Sequence, residues 1–428
     1  MTLLTQNNRT DPQPPAGEPA GTRTATAEPP QRASPAPARQ LRFDAPPQAV
    51  YDELRLPEPL HVGRPNLGDR ARFFERLEGI FDRRWLTNDG PLVRELEQKL
   101  AGLLGVRHCV AMCNGTVALE IVIRALGLSG EVIVPSFTFV ATAHALQWQE
   151  IRPVFCDIGA SHTIDPGEIE RHITPKTTGI IGVHTWGRPC QVEALAGIAD
   201  RRGLKLLFDA AHALGCTHGG QSIGRFGQAE VLSFHATKFV NSFEGGAVVT
   251  QNGELAERMR LMRNFGFAGY DNVEHVGTNG KMTEVAAAMG LTSLESADQF
   301  IAANRTNYDH YRSLLADVPA VRLIEYDPAE RHNYQYCVLE LDAELSAISR
   351  DELVALLHAH NVLARRYFYP GCHRMQPYRS LYPMSHLWLP QTEAIAGRIV
   401  VLPTGTTVTK REIECVCEII RRGTRRGA

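Results

Sequence analysis

Residues 231–250, VLSFHATKFVNSFEGGAVVT, place a single lysine, Lys238, in polar sequence between two apolar runs that read as strand ends. A lysine amine attacks carbon only when neutral, and burial or a cationic neighbour lowers its pKa enough for that. Ser233, five residues earlier, offers a hydroxyl to a phosphate. Asp209 directly follows the apolar LKLLF, and the C-terminal end of a buried strand is where open α/β sheets bind ligands. Gly115 and Thr116 open a helix after the short apolar HCVAMC; the free N–H groups and macrodipole of a helix start favour phosphate. Phe139, in SFTFVAT, follows another strand end, where an aromatic can stack on a flat ring. His212 and His235 flank the same region. Each residue also has an ordinary reading: a solvated loop lysine, a turn aspartate, an N-cap threonine, a core aromatic, structural histidines.

Together they supply what pyridoxal 5′-phosphate needs. The lysine forms a Schiff base, the acid keeps the pyridinium nitrogen protonated so that the ring is an electron sink, the aromatic covers the ring and the cup takes the phosphate. The chain order (phosphate loop, aromatic, Asp, Lys) is that of a fold-type-I aminotransferase.

The elements that must position these residues alternate. GPLVRELEQKLAGLLG spaces Leu92, Leu96, Leu100, Leu103 and Leu104 as a helical stripe. HCVAMC, EVIVP, RPVFCDI, TTGIIGV and LKLLF read as buried strands, with helices between them, so an α/β fold with a mostly parallel sheet is expected. Beyond about residue 290 the texture changes. LESADQFIAANRTNYDHYRSLLADV reads as one long helix, NYQYCVLEL as a strand, RDELVALLHAHN and KREIECVCEIIRR as helices. The expected organisation is a Pro/Ala-rich disordered tail over 1–48, a large cofactor-binding α/β domain over 49–290 and a small C-terminal α+β domain over 291–428.

Bulk properties exclude other classes. The formal net charge of −2 is dispersed, which leaves no footprint for nucleic acid. The nine cysteines are scattered; Cys109 and Cys113 have no second pair at zinc spacing. No metal is expected, and free thiols suit a reducing cytoplasm. No apolar run approaches a membrane span, and the N-terminus lacks a signal-peptide core.

From about residue 62 to the C-terminus the chain resembles the DegT-type sugar-nucleotide aminotransferases, through NGTVAL, VPSFTFVATAHA, DAAHALG, SFHATK…EGGAVVT, NGKMTEVAAAMG and YFYPGCH. The resemblance implies a seven-stranded-type sheet in the large domain and two-domain subunits paired as a homodimer with shared active sites. It makes Lys238 the cofactor lysine, Asp209 the partner of the pyridine nitrogen and Phe139 the ring cover. Gly115, Thr116 and Ser233 become phosphate ligands, His212 lies near the cofactor O3′, and Asn279 reaches the phosphate in the neighbouring subunit. Relatives with His at the lysine position dehydrate their sugar; Lys238 points to transamination. Relatives aminating C3 carry P-x-K-N-L-G before G-D-x-G, whereas those aminating C4 carry H-x-x-K before E-G-G. HATKFVNSFEGG, with His235, is of the C4 kind. The implied substrate is dTDP-4-keto-6-deoxyglucose, with L-glutamate as donor and dTDP-4-amino-4,6-dideoxyglucose as product. Tyr334, Gln335, Tyr369, His373 and Arg374 are candidates to line the nucleotide-sugar mouth. The alternatives are a 3-keto sugar aminotransferase or sugar dehydratase on the same fold, or a non-catalytic regulator on that scaffold.

Overall fold

A computed structural model describes residues 51–426. The tail expected over 1–48 lies outside the described residues. Seven strands form the main sheet: β1 (His108–Met112), β2 (Glu131–Pro135), β3 (Arg152–Cys156), β4 (Thr177–Val183), β5 (Lys205–Asp209), β6 (Ala229–Ser233) and β7 (Gly246–Thr250). Their spatial order is β1-β7-β6-β5-β4-β2-β3. β7 runs antiparallel to both of its neighbours, and the other pairings are parallel.

The parallel strands read as continuous apolar runs because both faces are covered. Val132 and Val134 pack into the layer containing the helices Gly115–Ala125, Val140–Gln147 and Gly253–Met262, while Ile133 between them packs with the helix Val192–Arg202 on the other face. Helix ends follow local chemistry. Pro91 starts the helix Pro91–Leu104, and Gly105, at φ 65°, ends it. Leu92, Leu96, Leu100 and Leu104 of its stripe are buried, but Leu103, at the stripe's edge in the last turn, is exposed.

A second sheet, β8 (Val321–Leu323), β9 (Cys337–Leu341) and β10 (Ile399–Leu402), is antiparallel in that order. It shares a core with the helices Ala297–Leu315, Arg350–Ala359 and Lys410–Thr424. Two elements differ from expectation. The long helix starts later than expected: Leu294 and Glu295 close a preceding helix, Glu284–Glu295, which ends at Ser296, whose ψ is 4°, and Ala297–Leu315 follows. The Ser296 hydroxyl donates to the Thr292 carbonyl four residues back, a bond that competes with the helical ladder. The strand expected over NYQYCVLEL starts only at Cys337. Tyr334 is left-handed, at φ 51°, and the Asn333 amide donates to the carbonyls of His212 and Leu214. Residues 333–336 are thus a loop tied to the end of the main sheet. A two-residue parallel pair, Leu60–His61 against Val362–Leu363, joins the start of the described chain to the C-terminal half.

Candidate active site

The carboxyl ends of β1, β2, β5 and β6 open on one cavity of about 930 Å³. Ligands bind at this edge of an open parallel sheet, where strand order reverses. Gly115, Thr116, Phe139, Asp209, His212, Ser233, His235 and Lys238 all line it.

Asp209 ends β5 and is buried. Its Oδ2 accepts from Thr142 Oγ1 at 2.8 Å and its Oδ1 from the Ala211 N–H at 3.1 Å, so the carboxylate is fixed from both sides. Lys238 sits in the turn after β6, where its N–H donates to the His235 carbonyl at 2.8 Å. The next N–H, of Phe239, donates to Gln335 Oε1 at 2.9 Å. Lys238 Nζ lies 3.4 Å from the Tyr336 hydroxyl. Burial pushes the lysine pKa down to about 8; the nearby Asp209 carboxylate and Tyr367 pull it back up. The ammonium form still leads near physiological pH, but the neutral fraction is far larger than for an ordinary exposed lysine, as a nucleophile or proton carrier requires.

His212 is held uncharged, first by burial and then by the Lys238 charge. Its Nδ1 accepts from the Trp186 N–H at 3.3 Å, which leaves the proton of the neutral ring on Nε2. The ring lies parallel to Phe368, with 5.7 Å between centroids. His235 is exposed; its Nδ1 meets Thr237 Oγ1 at 2.8 Å and its Nε2 lies 3.5 Å from Glu244.

The other end of the floor is a helix start. Asn114 Oδ1 accepts from the Val117 N–H at 2.8 Å and caps the helix Gly115–Ala125. The N–H groups of Gly115 and Thr116 belong to the first turn, which has no carbonyl of its own to meet. A Cβ on Gly115 would lie 3.3 Å from Ser233 Cβ, so the helix start and the Ser233 hydroxyl face each other across a narrow cradle. Phe139, 54% exposed, caps the helix Val140–Gln147 at the cavity wall.

The structure does not bring Tyr334, Gln335, Tyr369, His373 or Arg374 to this cavity. Tyr334 packs beside Tyr308 and Tyr326. Gln335 holds the lysine turn from behind. Tyr369 lies under the guanidinium groups of Arg350 and Arg366. His373 is buried between Ser136 Oγ, at 2.6 Å, and Glu393, at 2.5 Å, and Arg374 pairs with the same glutamate. Asn279 is exposed and bridged to Asn264, outside the cavity of its own chain. The wall is made instead by Tyr336, Tyr367 and Phe368, with Arg64 and Arg365. These lie one to four residues from the proposed positions or, for Arg64, at the far end of the chain. NYQY and YFYPGCH mark the segments but not which side chains turn inward. Among the described residues no cluster of His, Cys, Asp or Glu could hold a metal, and no helix is long and apolar enough to cross a membrane.

Pyridoxal phosphate fits this floor. The cradle between Gly115, Thr116 and Ser233 matches its phosphate, the fixed Asp209 carboxylate matches a ring nitrogen, and the amine of Lys238 opens on the same space. The chain is thus of the pyridoxal-phosphate-dependent aminotransferase class, in its fold-type-I form. It belongs to the DegT/DnrJ/EryC1/StrS aminotransferase family, whose profile matches residues 68–421. It is 38% identical over 367 residues to dTDP-4-amino-4,6-dideoxy-D-glucose transaminase of Shigella dysenteriae, covering 86% of this chain and 99% of that one. It is 35% identical over 339 residues to erythromycin biosynthesis sensory transduction protein EryC1 of Saccharopolyspora erythraea, covering 78% and 90%. A crystal structure of DesI, determined in the presence of its TDP-sugar product, superposes with a TM-score of 0.83 at 49% identity, over 86% of this chain and 93% of that one. The chain is a sugar aminotransferase.

Proposed function

We propose that this enzyme aminates C4 of dTDP-4-keto-6-deoxyglucose, with L-glutamate as donor, to give dTDP-4-amino-4,6-dideoxyglucose. The names of the Shigella relative and of DesI's product support this substrate class, as does the HATK…EGG loop. The observation that carries the reading is the low-pKa amine of Lys238 beside the fixed Asp209 carboxylate, in one cavity large enough for a sugar nucleotide. Pyridoxal phosphate, when bound, supplies the electron sink through which an amino group passes between carbon skeletons. Lys238 would hold the cofactor and, once released, carry the proton between the two carbons that exchange it. Asp209 would keep a proton on the ring nitrogen, and Thr142 and the Ala211 N–H keep Asp209 aimed. Neutral His212 would offer its Nε2 proton to the ring oxygen and Phe139 would cover the ring, while His235 stands beside the lysine turn.

The proposed assembly is a homodimer in which Asn279, exposed and outside its own cavity, reaches the cofactor phosphate of the neighbouring subunit. Residues 49–290 and 291–428 are its large and small domains. The proposed setting is deoxyaminosugar formation for an antibiotic in the cytoplasm; the likeness to EryC1 supports the pathway class. Incubation with dTDP-4-keto-6-deoxyglucose and L-glutamate, with the product examined by NMR, tests the reaction. An amine on C4 and equimolar 2-oxoglutarate are expected. An amine on C3, or loss of water without amination, would overturn it.

A further inference from the structure

The two-residue parallel pair between Leu60–His61 and Val362–Leu363 has no place in the cofactor floor. Its register sets Leu60 beside Val362 and His61 beside Leu363. Because the strands are parallel, both chains leave at the same end, and the residues just beyond it include Arg64 and Arg365. Both line the cavity that holds Lys238. Both segments are fixed. Gly63, at φ 74°, passes so close to the lysine turn that a Cβ there would lie 2.9 Å from Thr237 Cβ. Arg365 exchanges backbone hydrogen bonds with Val401 in both directions, at 3.1 and 2.7 Å.

The side chains, by contrast, are exposed at the cavity. Among the described residues neither guanidinium has a carboxylate within ion-pair distance, whereas the adjacent Arg366 donates to Asp351 at 2.8 Å. The Arg365 guanidinium lies 5.1 Å from the Tyr367 ring centroid, a contact that orients it and leaves its N–H groups available. The carboxylates in the cavity wall are engaged elsewhere, Asp209 by Thr142 and Ala211 and Glu244 beside His235.

We infer that Arg64 and Arg365 are the specificity-determining pair that binds the diphosphate of the nucleotide sugar. The inference rests on the nucleotide-sugar reading above. A guanidinium fork suits a phosphoryl group in charge and hydrogen-bond donors, and two forks supply one for each phosphoryl group of a diphosphate. Position separates the diphosphate from the donor's α-carboxylate. The reacting carbon must reach Lys238 on the floor, and glutamate's α-carboxylate is bonded to that carbon. The diphosphate hangs on the anomeric carbon across the sugar ring, which suits cations on the wall.

The test uses the full-length holoenzyme and the variants Arg64→Ala, Arg365→Ala, the double variant and Arg365→Lys. Each alanine variant should raise KM for dTDP-4-keto-6-deoxyglucose about tenfold or more, as loss of a charge-assisted contact does. The double variant should raise it further, kcat should change little, and Arg365→Lys should recover part of the loss. Calorimetric Kd values for thymidine diphosphate should rise in parallel, with a weaker dependence on salt than in the parent enzyme. The glutamate half-reaction, followed by absorbance, should stay within about twofold. Unchanged KM and Kd in the double variant would overturn the inference, as would a loss confined to the glutamate arm. If the parent enzyme binds thymidine diphosphate through these arginines but does not aminate the keto sugar, the substrate reading fails and the arginine pair stands.

Discussion

The floor of the cavity and its C-terminal wall are held in different ways. On the floor, Asp209 and Ser233 are the last residues of adjacent parallel strands, and the hydrogen-bond ladder that pairs Asp209 with Val231 fixes their spacing. The wall is loop. Tyr336 is placed by Asn333, whose amide ties residues 333–336 to the carbonyls after β5, and Phe368 by ring contacts with His212, Phe137 and Tyr367. A ladder holds a reacting group within tenths of an ångström. Loops can change their side chains without disturbing the sheet. The floor therefore suits the chemistry common to the family, and the wall suits the choice of sugar.

If that division holds, floor substitutions lower turnover with little change in folding. Lys238→Ala should lower transamination by at least about 10³-fold, since the nucleophile and the proton carrier are lost together. Borohydride reduction of the cofactor-loaded protein, read by mass spectrometry, should fix the cofactor to Lys238 in the parent chain and nowhere in the variant. Normal turnover by purified Lys238→Ala would sink the division. Asp209→Ala should cost roughly 100-fold in kcat. Thr142→Val removes one charge-assisted hydrogen bond from Asp209 and should cost about tenfold. Both are measured as initial rates at saturating substrates; an unchanged rate in Thr142→Val would mean that the carboxylate needs no aiming.

His373 tests the division from the other side. It is buried, bonded to Ser136 and Glu393, and absent from the cavity wall. Its link reaches the loop after β2 that carries Phe139, and the Cys372 N–H also donates to the Ser136 carbonyl at 2.9 Å. His373→Ala should cost about 2 kcal/mol of stability, from an emptied site and the unpaired polar groups around it. Thermal denaturation should show a Tm several degrees lower, with KM for the sugar nucleotide nearly unchanged. A large rise in KM at normal Tm would place His373 at the substrate after all.

The same contrast explains what the sequence discloses. Lys238, Asp209, Ser233 and the Gly115–Thr116 helix start each follow an apolar run whose end is readable, and in a parallel sheet those ends gather on one edge. For the wall, the aromatic segments are visible, but which side chains turn inward is not. Tyr334 and Tyr336 alternate in NYQY as they would in a strand. The left-handed backbone at Tyr334 breaks that parity, and its cause, the Asn333 bond to carbonyls 119 and 121 residues away, is tertiary. Arg64 is hidden for the same reason: its place depends on a pairing between Leu60–His61 and Val362–Leu363. Ser296 could have suggested the helix break, but a single serine is tolerated in most helices.

The smallest effect separates the two opposing influences on Lys238. Burial lowers its pKa to about 8, and the Asp209 carboxylate opposes that shift. In cofactor-free protein, brief acylation at a series of pH values, with Lys238 modification read by mass spectrometry, should rise with pH while the ammonium deprotonates and level off above about 8. An ordinary exposed lysine goes on rising toward its reference pKa of about 10.4. Asp209→Asn removes the charge that favours the ammonium but leaves the burial, so the break should move below 8. The sign is decisive. A break that moves up would mean that removing the carboxylate opens the amine to water, and the floor would then owe its low-pKa lysine to Asp209's packing rather than to enclosure by the strand ends.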